Sequence, residues 1–327
     1  MIKSFLKNHS IHKKIVPHFD YLFIYNPTSF FTIWVMICVG MYIGHLTFYN
    51  YPQWIISFDL KILFLFLSLT LIIGSVFIKN KISSSETTTN NKQKLFVANN
   101  KALMLSKISL IIGFIVLFLT NIYNLMLGGL IYIVFTVMFN KNNTIFKRQS
   151  LLNLFIVFLI GTLLSLSGYV AVISQGSYFY SLTGSFSYLI LIKFFLYGIG
   201  YTAIFIIIDI KNSSFEKSLS NVYGMRLMIA LSTLMILFNI FIGFYLQEPL
   251  ITIACVVSIP FFLYALIRKL DKDIKRAIYY PIFIFNFFIS TIYPYLFILL
   301  IITFYLSKYY NWHRYNFHFP TFLVEND

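Results

Sequence analysis

"ALMLSKISLIIGFIVLFLTNIYNLMLGGLIYIVFTVMF", residues 102–139, decides the fold class. Its 38 residues hold a single charge, Lys107. One bilayer crossing takes roughly 20 apolar residues, so a single helix here would push apolar turns into water. Asn121 stands near the middle and predicts a turn between two spans, 102–120 and 122–139. The apolar residues run unbroken rather than alternating. That pattern satisfies the backbone within helices, not within the strands of a closed barrel.

The same reading extends outward. Further spans are expected at 29–48, 57–78, 151–173, 184–208, 225–246, 249–267 and 278–306, nine in all. The last contains Pro281 and Pro294, which predict a kink. The chain is 59% hydrophobic and 11% charged. A soluble domain carries about a quarter charged residues, so this is expected to be one polytopic membrane domain. Cys38 and Cys255 lie inside apolar runs and read as buried small hydrophobes rather than a disulfide or metal pair. Residues 1–27 mix Lys, His and Asp and read as a retained cytoplasmic segment, not a cleaved signal.

Charge tests the span count. Lys3, Lys7, Lys13 and Lys14 precede the first span, and Lys79, Lys81, Lys92, Lys94 and Lys101 follow the second. Lys141, Lys147 and Arg148 follow the fourth, Lys211, Lys217 and Arg226 the sixth, and Arg268, Lys269, Lys272, Lys275 and Arg276 the eighth. The intervening loops carry none, and the C-terminal tail only Lys308 and Arg314. Basic residues collect on the cytoplasmic side, which predicts N-in, C-out. The net charge of +15 is thereby explained without a nucleic-acid partner.

"FIIIDIKNSSFEKSLSNVYG" (205–224) then turns from hydrocarbon to polar. On a helix Asp209, Asn212 and Glu216 share one face, and hard oxygen ligands there suit Mg²⁺. The alternative is simply the wet end of a span, where carboxylates are ordinary. Lys193, deep in the sixth span, either meets an anionic group in the bundle or snorkels to an interface.

The chain resembles the UbiA-type prenyltransferase superfamily. That family has nine spans, a cytoplasmic N-terminus and enlarged cytoplasmic loops after spans two and six, matched here by 79–101 and 209–224. "FDYLFIYNPTSFFTIWVMICVGMYIG" (19–44) resembles the approach to its first helix, with Asn26 in place of an Arg before Pro27-Thr28. "IIIDIKNSSFEKSLSNVYGMR" (206–226) is similar to its second aspartate motif. Asp209 and Ile210 match there, Asn212 and Glu216 are softened, and Lys217 stands for the basic residue. "KYYNWHRYNFHFPTF" (308–322) looks like the tail of some bacterial members. The first aspartate motif departs: Asn80, Lys81, Ser84 and Thr88 fall on its positions, and only the Asn is kept.

The resemblance implies an all-α, nine-helix membrane fold, located in the bacterial inner membrane. It implies transfer of an isoprenyl group from a prenyl diphosphate to an aromatic or lipid acceptor. Asp209 and Glu216 would be the catalytic carboxylates, with Asn212 as a further ligand for Mg²⁺. Lys94, Lys147, Arg148 and Lys217 would hold the diphosphate. Two rivals remain: a catalytically impaired relative that binds an isoprenoid lipid or serves as a partner subunit, and a transporter. The transporter lacks evident paired intramembrane acids or matched broken helices.

Overall fold

The computed structural model describes residues 10–49, 59–87, 96–139, 150–174, 188–211, 223–316 and 320. Its long elements are helices. A short amphipathic helix, α1 (Ser10–Phe23), leads through a 3₁₀ turn at Pro27–Ser29 into α2 (Phe30–Tyr49). There follow α3 (Leu60–Thr87), α4 (Asn99–Phe118), α5 (Ile122–Phe139), α6 (Ser150–Ile173) and α7 (Tyr188–Lys211). The chain continues with α8 (Met225–Tyr245), α9 (Pro249–Arg268), α10 (Asp271–Ile292) and α11 (Pro294–Tyr315).

Eight helices among the described residues, α2 to α9, are long and apolar enough to cross a membrane, as in an integral membrane protein. The Asn121 turn is where the sequence places it. The Asn121 side-chain oxygen accepts the Asn124 backbone N–H at 2.6 Å and opens α5, while its amide donates to Ser174 Oγ at 3.0 Å. A side-chain acceptor at this position satisfies one of the orphan N–H groups of a helix start.

The middle of the bundle is α2 against α6. A methyl group on Gly40 would overlap the Ser165 carbonyl, and one on Gly168 the Ile37 carbonyl, so the two backbones touch. Small residues permit that approach where lipid supplies no hydrophobic drive between helices. Buried polar side chains stitch further helices together. Trp34 Nε1 donates to Thr70 Oγ1 at 2.9 Å, Ser106 Oγ to the Ser75 carbonyl at 2.9 Å, and Ser232 Oγ to the Ala203 carbonyl at 2.7 Å.

These contacts give each helix a direction. The Trp34–Thr70 bond, with Tyr25 against Gly74, sets α3 antiparallel to α2. Gly161 against Tyr201 and Tyr169 against Phe194 set α7 antiparallel to α6. Both α3 and α7 therefore end at the side of the bundle where α2 begins, hereafter the motif end. Both also run past the expected span limits, α3 to Thr87 and α7 to Lys211, so Asn80, Lys81 and Asp209 are helical.

The expected ninth span, 278–306, is instead two helices. Tyr293 is extended (φ −119°, ψ 84°), as a residue before proline prefers, and Pro294 opens α11. Tyr293 lies beside His45 at the far end of α2, with ring centroids 6.4 Å apart. Tyr310 stacks on Phe23 at the motif end, centroids 4.0 Å apart. α11 thus runs back along α2. The described end of the chain returns to the side of α1, and the expectation that the two termini lie on opposite sides is corrected. The sequence reading fails here because Pro294 in an apolar run marks a reversal rather than a kink.

Candidate functional site

The motif end gathers helix termini. α1 presents Val16, Asp20 and Phe23 to the bundle at helical spacing and turns Lys14, Ile15, His18, Tyr21 and Leu22 outward. After α1, Asn26 takes the left-handed conformation (φ 57°), which Asn tolerates better than most residues. Its amide donates to Ser29 Oγ at 2.5 Å, and its oxygen accepts from Thr28 Oγ1 at 3.4 Å. Asn26 therefore shapes the turn where the resemblance expects a guanidinium. Tyr25 is hydrogen-bonded to Ser109 on α4; burial pushes its phenol above the usual range, and the hydrogen bond pulls it the other way.

Lys81 is the residue that the resemblance sets against the first motif's leading aspartate. Its ammonium donates to the Phe23 carbonyl at 2.7 Å, at the C-terminus of α1. A cation there meets exposed carbonyls and the negative end of the helix dipole. Lys81 thus caps a neighbouring helix. Lys79, two residues earlier and on another face of α3, donates to Tyr132 Oη on α5 at 3.1 Å. Neither ammonium offers a metal ion an acceptor atom. Among the described residues, no group of three or more His, Cys, Asp or Glu side chains stands together. Asp209 is half-buried on the last turn of α7, at the same end of the bundle. Asn212, Glu216, Lys217, Thr88, Lys94, Lys147 and Arg148 lie outside the described residues, as does the side chain of Ser84.

Two acids at the motif end are held by arginines. Asp20 is buried and accepts from Tyr310 Oη at 2.8 Å and from Arg314 Nε at 3.0 Å, with Arg314 Nη2 on its second oxygen. The Arg314 guanidinium lies 3.9 Å from the Phe96 ring centroid. This contact ties α1, α11 and the approach to α4 into one latch. Asp273, also buried, sits between Arg268 and Arg276, each 3.3 Å away. The latch was missed in the sequence. The available signal was an acid on the apolar face of a short amphipathic segment.

Lys193 finds its partner at the far end. Its ammonium is 2.7 Å from Glu248 Oε2, and Tyr197 Oη donates to Glu248 Oε1 at 2.9 Å. Glu248 is fully buried in the turn between α8 and α9. Of the two sequence readings of Lys193, meeting an anion in the bundle is the one realised, and the anion is the protein's own.

Between the two ends lies a narrow cavity bounded by α2, α7, α8, α9 and α10. Val35, Met36, Ile204, Ile236 and Phe285 make its wall mostly hydrocarbon. Such a cavity suits an apolar chain, with polar chemistry left to the motif end.

No family model and no curated protein sequence matches the chain. Solved structures do. A membrane digeranylgeranylglyceryl phosphate synthase superposes with a TM-score of 0.58 at 18% identity, covering 84% of this chain and 97% of that one. A UbiA homologue from Aeropyrum pernix K1, solved without ligand, superposes with a TM-score of 0.55 at 15% identity, covering 82% and 97%. The fold is that of the UbiA-type prenyltransferases. Nearly all of each UbiA-type chain is matched, while part of this chain extends beyond them. At these identities the likeness fixes the UbiA-type architecture and leaves the reaction to the site.

Proposed function

We propose that the chain binds an isoprenyl diphosphate at the motif end and transfers the isoprenyl group to an aromatic or lipid acceptor. The observation that carries this reading is convergence: on a UbiA-type fold, α3 and α7 bring Asn80–Lys81 and Asp209 to one end of the bundle. The basic residues that follow these two helices support a cytoplasmic position for that end, in a bacterial inner membrane. Asp209 and Glu216 are the proposed catalytic carboxylates. With Asn212 they would hold at most one Mg²⁺, because Lys81, Ser84 and Thr88 bring no matching carboxylates. Such an ion, when bound, would offset diphosphate charge. Lys94, Lys147, Arg148 and Lys217 supply the remaining positive charge, and more of the burden falls on them than in a two-metal site.

A second reading is favoured by Lys81 itself. A cation spent on capping α1, where the family places a ligand, suits a catalytically impaired relative. That relative would bind an isoprenoid lipid or act as a partner subunit. One experiment separates the two: purified protein with labelled prenyl diphosphates and a panel of aromatic and lipid acceptors, with and without Mg²⁺. The first reading expects slow transfer that disappears in Asp209→Ala. Turnover that survives Asp209→Ala contradicts the assigned site. Retained prenyl-lipid binding without turnover supports the second reading.

A further inference from the structure

α1 shows the bundle one face and turns a second, different face outward. Successive side chains on a helix are rotated by about 100°. Across the outward half, that rotation orders Tyr21, Lys14, His18, Leu22 and Ile15, all exposed, with Phe19 next. The outward face is therefore graded: a phenol and an ammonium along one edge, two aliphatic side chains along the other. Val16, Asp20 and Phe23 lie opposite and are buried. Leu22 is nevertheless 45% exposed and Ile15 39%.

α11 shows what the aliphatic edge meets. Ile298, Ile302 and Tyr305 are exposed, and Tyr309 and Trp312 continue the same helical spacing, so the five form one stripe. The stripe begins aliphatic and ends in Tyr and Trp beside Lys308. That change marks the level where hydrocarbon gives way to head groups. α1 joins α11 at this level, where the Phe19 ring meets the Tyr309 ring edge to face, centroids 6.1 Å apart. Phe19 borders the Leu22–Ile15 edge of α1, so that edge continues the lipid-facing stripe. The Lys14–Tyr21 edge is then turned away from the hydrocarbon.

We propose that the outward face of α1 is a seat for anionic phospholipid head groups in the leaflet at the motif end, with Leu22 and Ile15 in the acyl boundary and Lys14 among the phosphates. A graded helix of this kind lies in the plane of the interface. Charge complementarity selects the anionic lipid: Lys14 is a cation, and the one acid of α1, Asp20, is turned inward onto Arg314, so no carboxylate of α1 opposes a phosphate. Lipid and latch would then hold α1 from opposite sides. Such a seat needs no chemistry at the motif end and is independent of prenyl transfer.

The test uses the full-length protein in nanodiscs of phosphatidylcholine, alone or mixed with phosphatidylglycerol. Leu22→Cys and Tyr21→Cys are labelled separately with an environment-sensitive fluorophore; Cys38 and Cys255 are buried. Each substituted side chain is exposed, so the contacts of α1 with the bundle stay. The label at 22 is expected to be quenched most by a nitroxide high on the acyl chain, and the label at 21 by a nitroxide on the head group. With nitroxide-labelled phosphatidylglycerol, Lys14→Gln is expected to raise about fivefold the lipid needed for half-maximal quenching at 21, the worth of one cation at an anionic surface. Quenching of both labels by aqueous acrylamide and by neither lipid overturns the proposal, because the face would lie in water. Labels shielded from acrylamide and from both lipids overturn it too, because a protein would then cover the face. Lys14→Gln without effect overturns the anionic preference.

Discussion

The two ends of the bundle use charge in opposite ways. At the far end an ion pair, Lys193 with Glu248, is sunk among apolar helices, and the carboxylate has no exposure at all. At the motif end the cations are many and several reach water. Each buried acid there is wrapped by arginine: Asp20 by Arg314, and Asp273 by Arg268 and Arg276. Removing two charges from water is expensive, and a pair in a low dielectric offsets that cost only while both partners remain. The far-end pair is therefore fixed structure. The motif end keeps charge in reserve and has redirected some of it, as Lys81 shows by capping α1.

Breaking the far-end pair should have the largest effect. Glu248→Ala leaves the Lys193 ammonium unpaired and should cost about 3–5 kcal/mol of stability, read from denaturant unfolding in micelles. Replacing both partners together, Lys193→Met with Glu248→Gln, should cost clearly less than Glu248→Ala alone. If the double replacement is as damaging as the single one, the pair is not the closed unit described.

The latch at the motif end comes next. Asp20→Ala removes the acceptor of Tyr310 and Arg314 and should cost about 1.5–3 kcal/mol, the range for hydrogen bonds to charged groups. Limited proteolysis should then cut α1 first, because α1 would lose its hold on α11 while the bundle stays intact. Unchanged protection of α1 would mean that Phe23 stacked on Tyr310 suffices without the charge.

Lys81→Met is the smallest of the three. It removes the charged hydrogen bond to the Phe23 carbonyl, which keeps the Asn26 backbone N–H, and should cost about 1.5 kcal/mol, the low end for charged groups. It should leave Mg²⁺ affinity unchanged, since the ammonium is turned onto the Phe23 carbonyl. A gain in Mg²⁺ affinity would show that Lys81 is a competing cation rather than a cap, and the contrast between the two ends would weaken.

The spans were legible because hydrocarbon length and charge alternation are local signals: a run of apolar residues and the next lysine lie within one window. Asn121 was legible for the same reason, a polar turn residue inside too long a run. The reversal at Tyr293–Pro294 was not, because the residues on both sides are equally apolar and no charge marks the far-end turn. The tail then looked poor in cations and was read as external, although Arg314 is spent on Asp20 rather than left to mark a side. That pair joins residues nearly the whole chain apart, and no local pattern announces it. Lys193 was legible as a problem but not as an answer, since Glu248 sits in a different turn. At the candidate site, the second motif was readable at Asp209. The first was readable only as a loss, because what Lys81 does instead depends on where α1 ends.

The C-terminal ends of α3, α7 and α11 all lie at one face of a UbiA-type bundle. Single cysteines at Asn90, Ser214, Glu325 and Ser177 test it, in a background where Cys38 and Cys255 are already buried. Each is probed in oriented membrane vesicles with an impermeant thiol reagent. Asn90→Cys, Ser214→Cys and Glu325→Cys should be labelled from the same side, and Ser177→Cys from the other. Labelling of Asn90→Cys and Ser214→Cys from opposite sides would contradict the fold, because the two motifs could not then meet at one site.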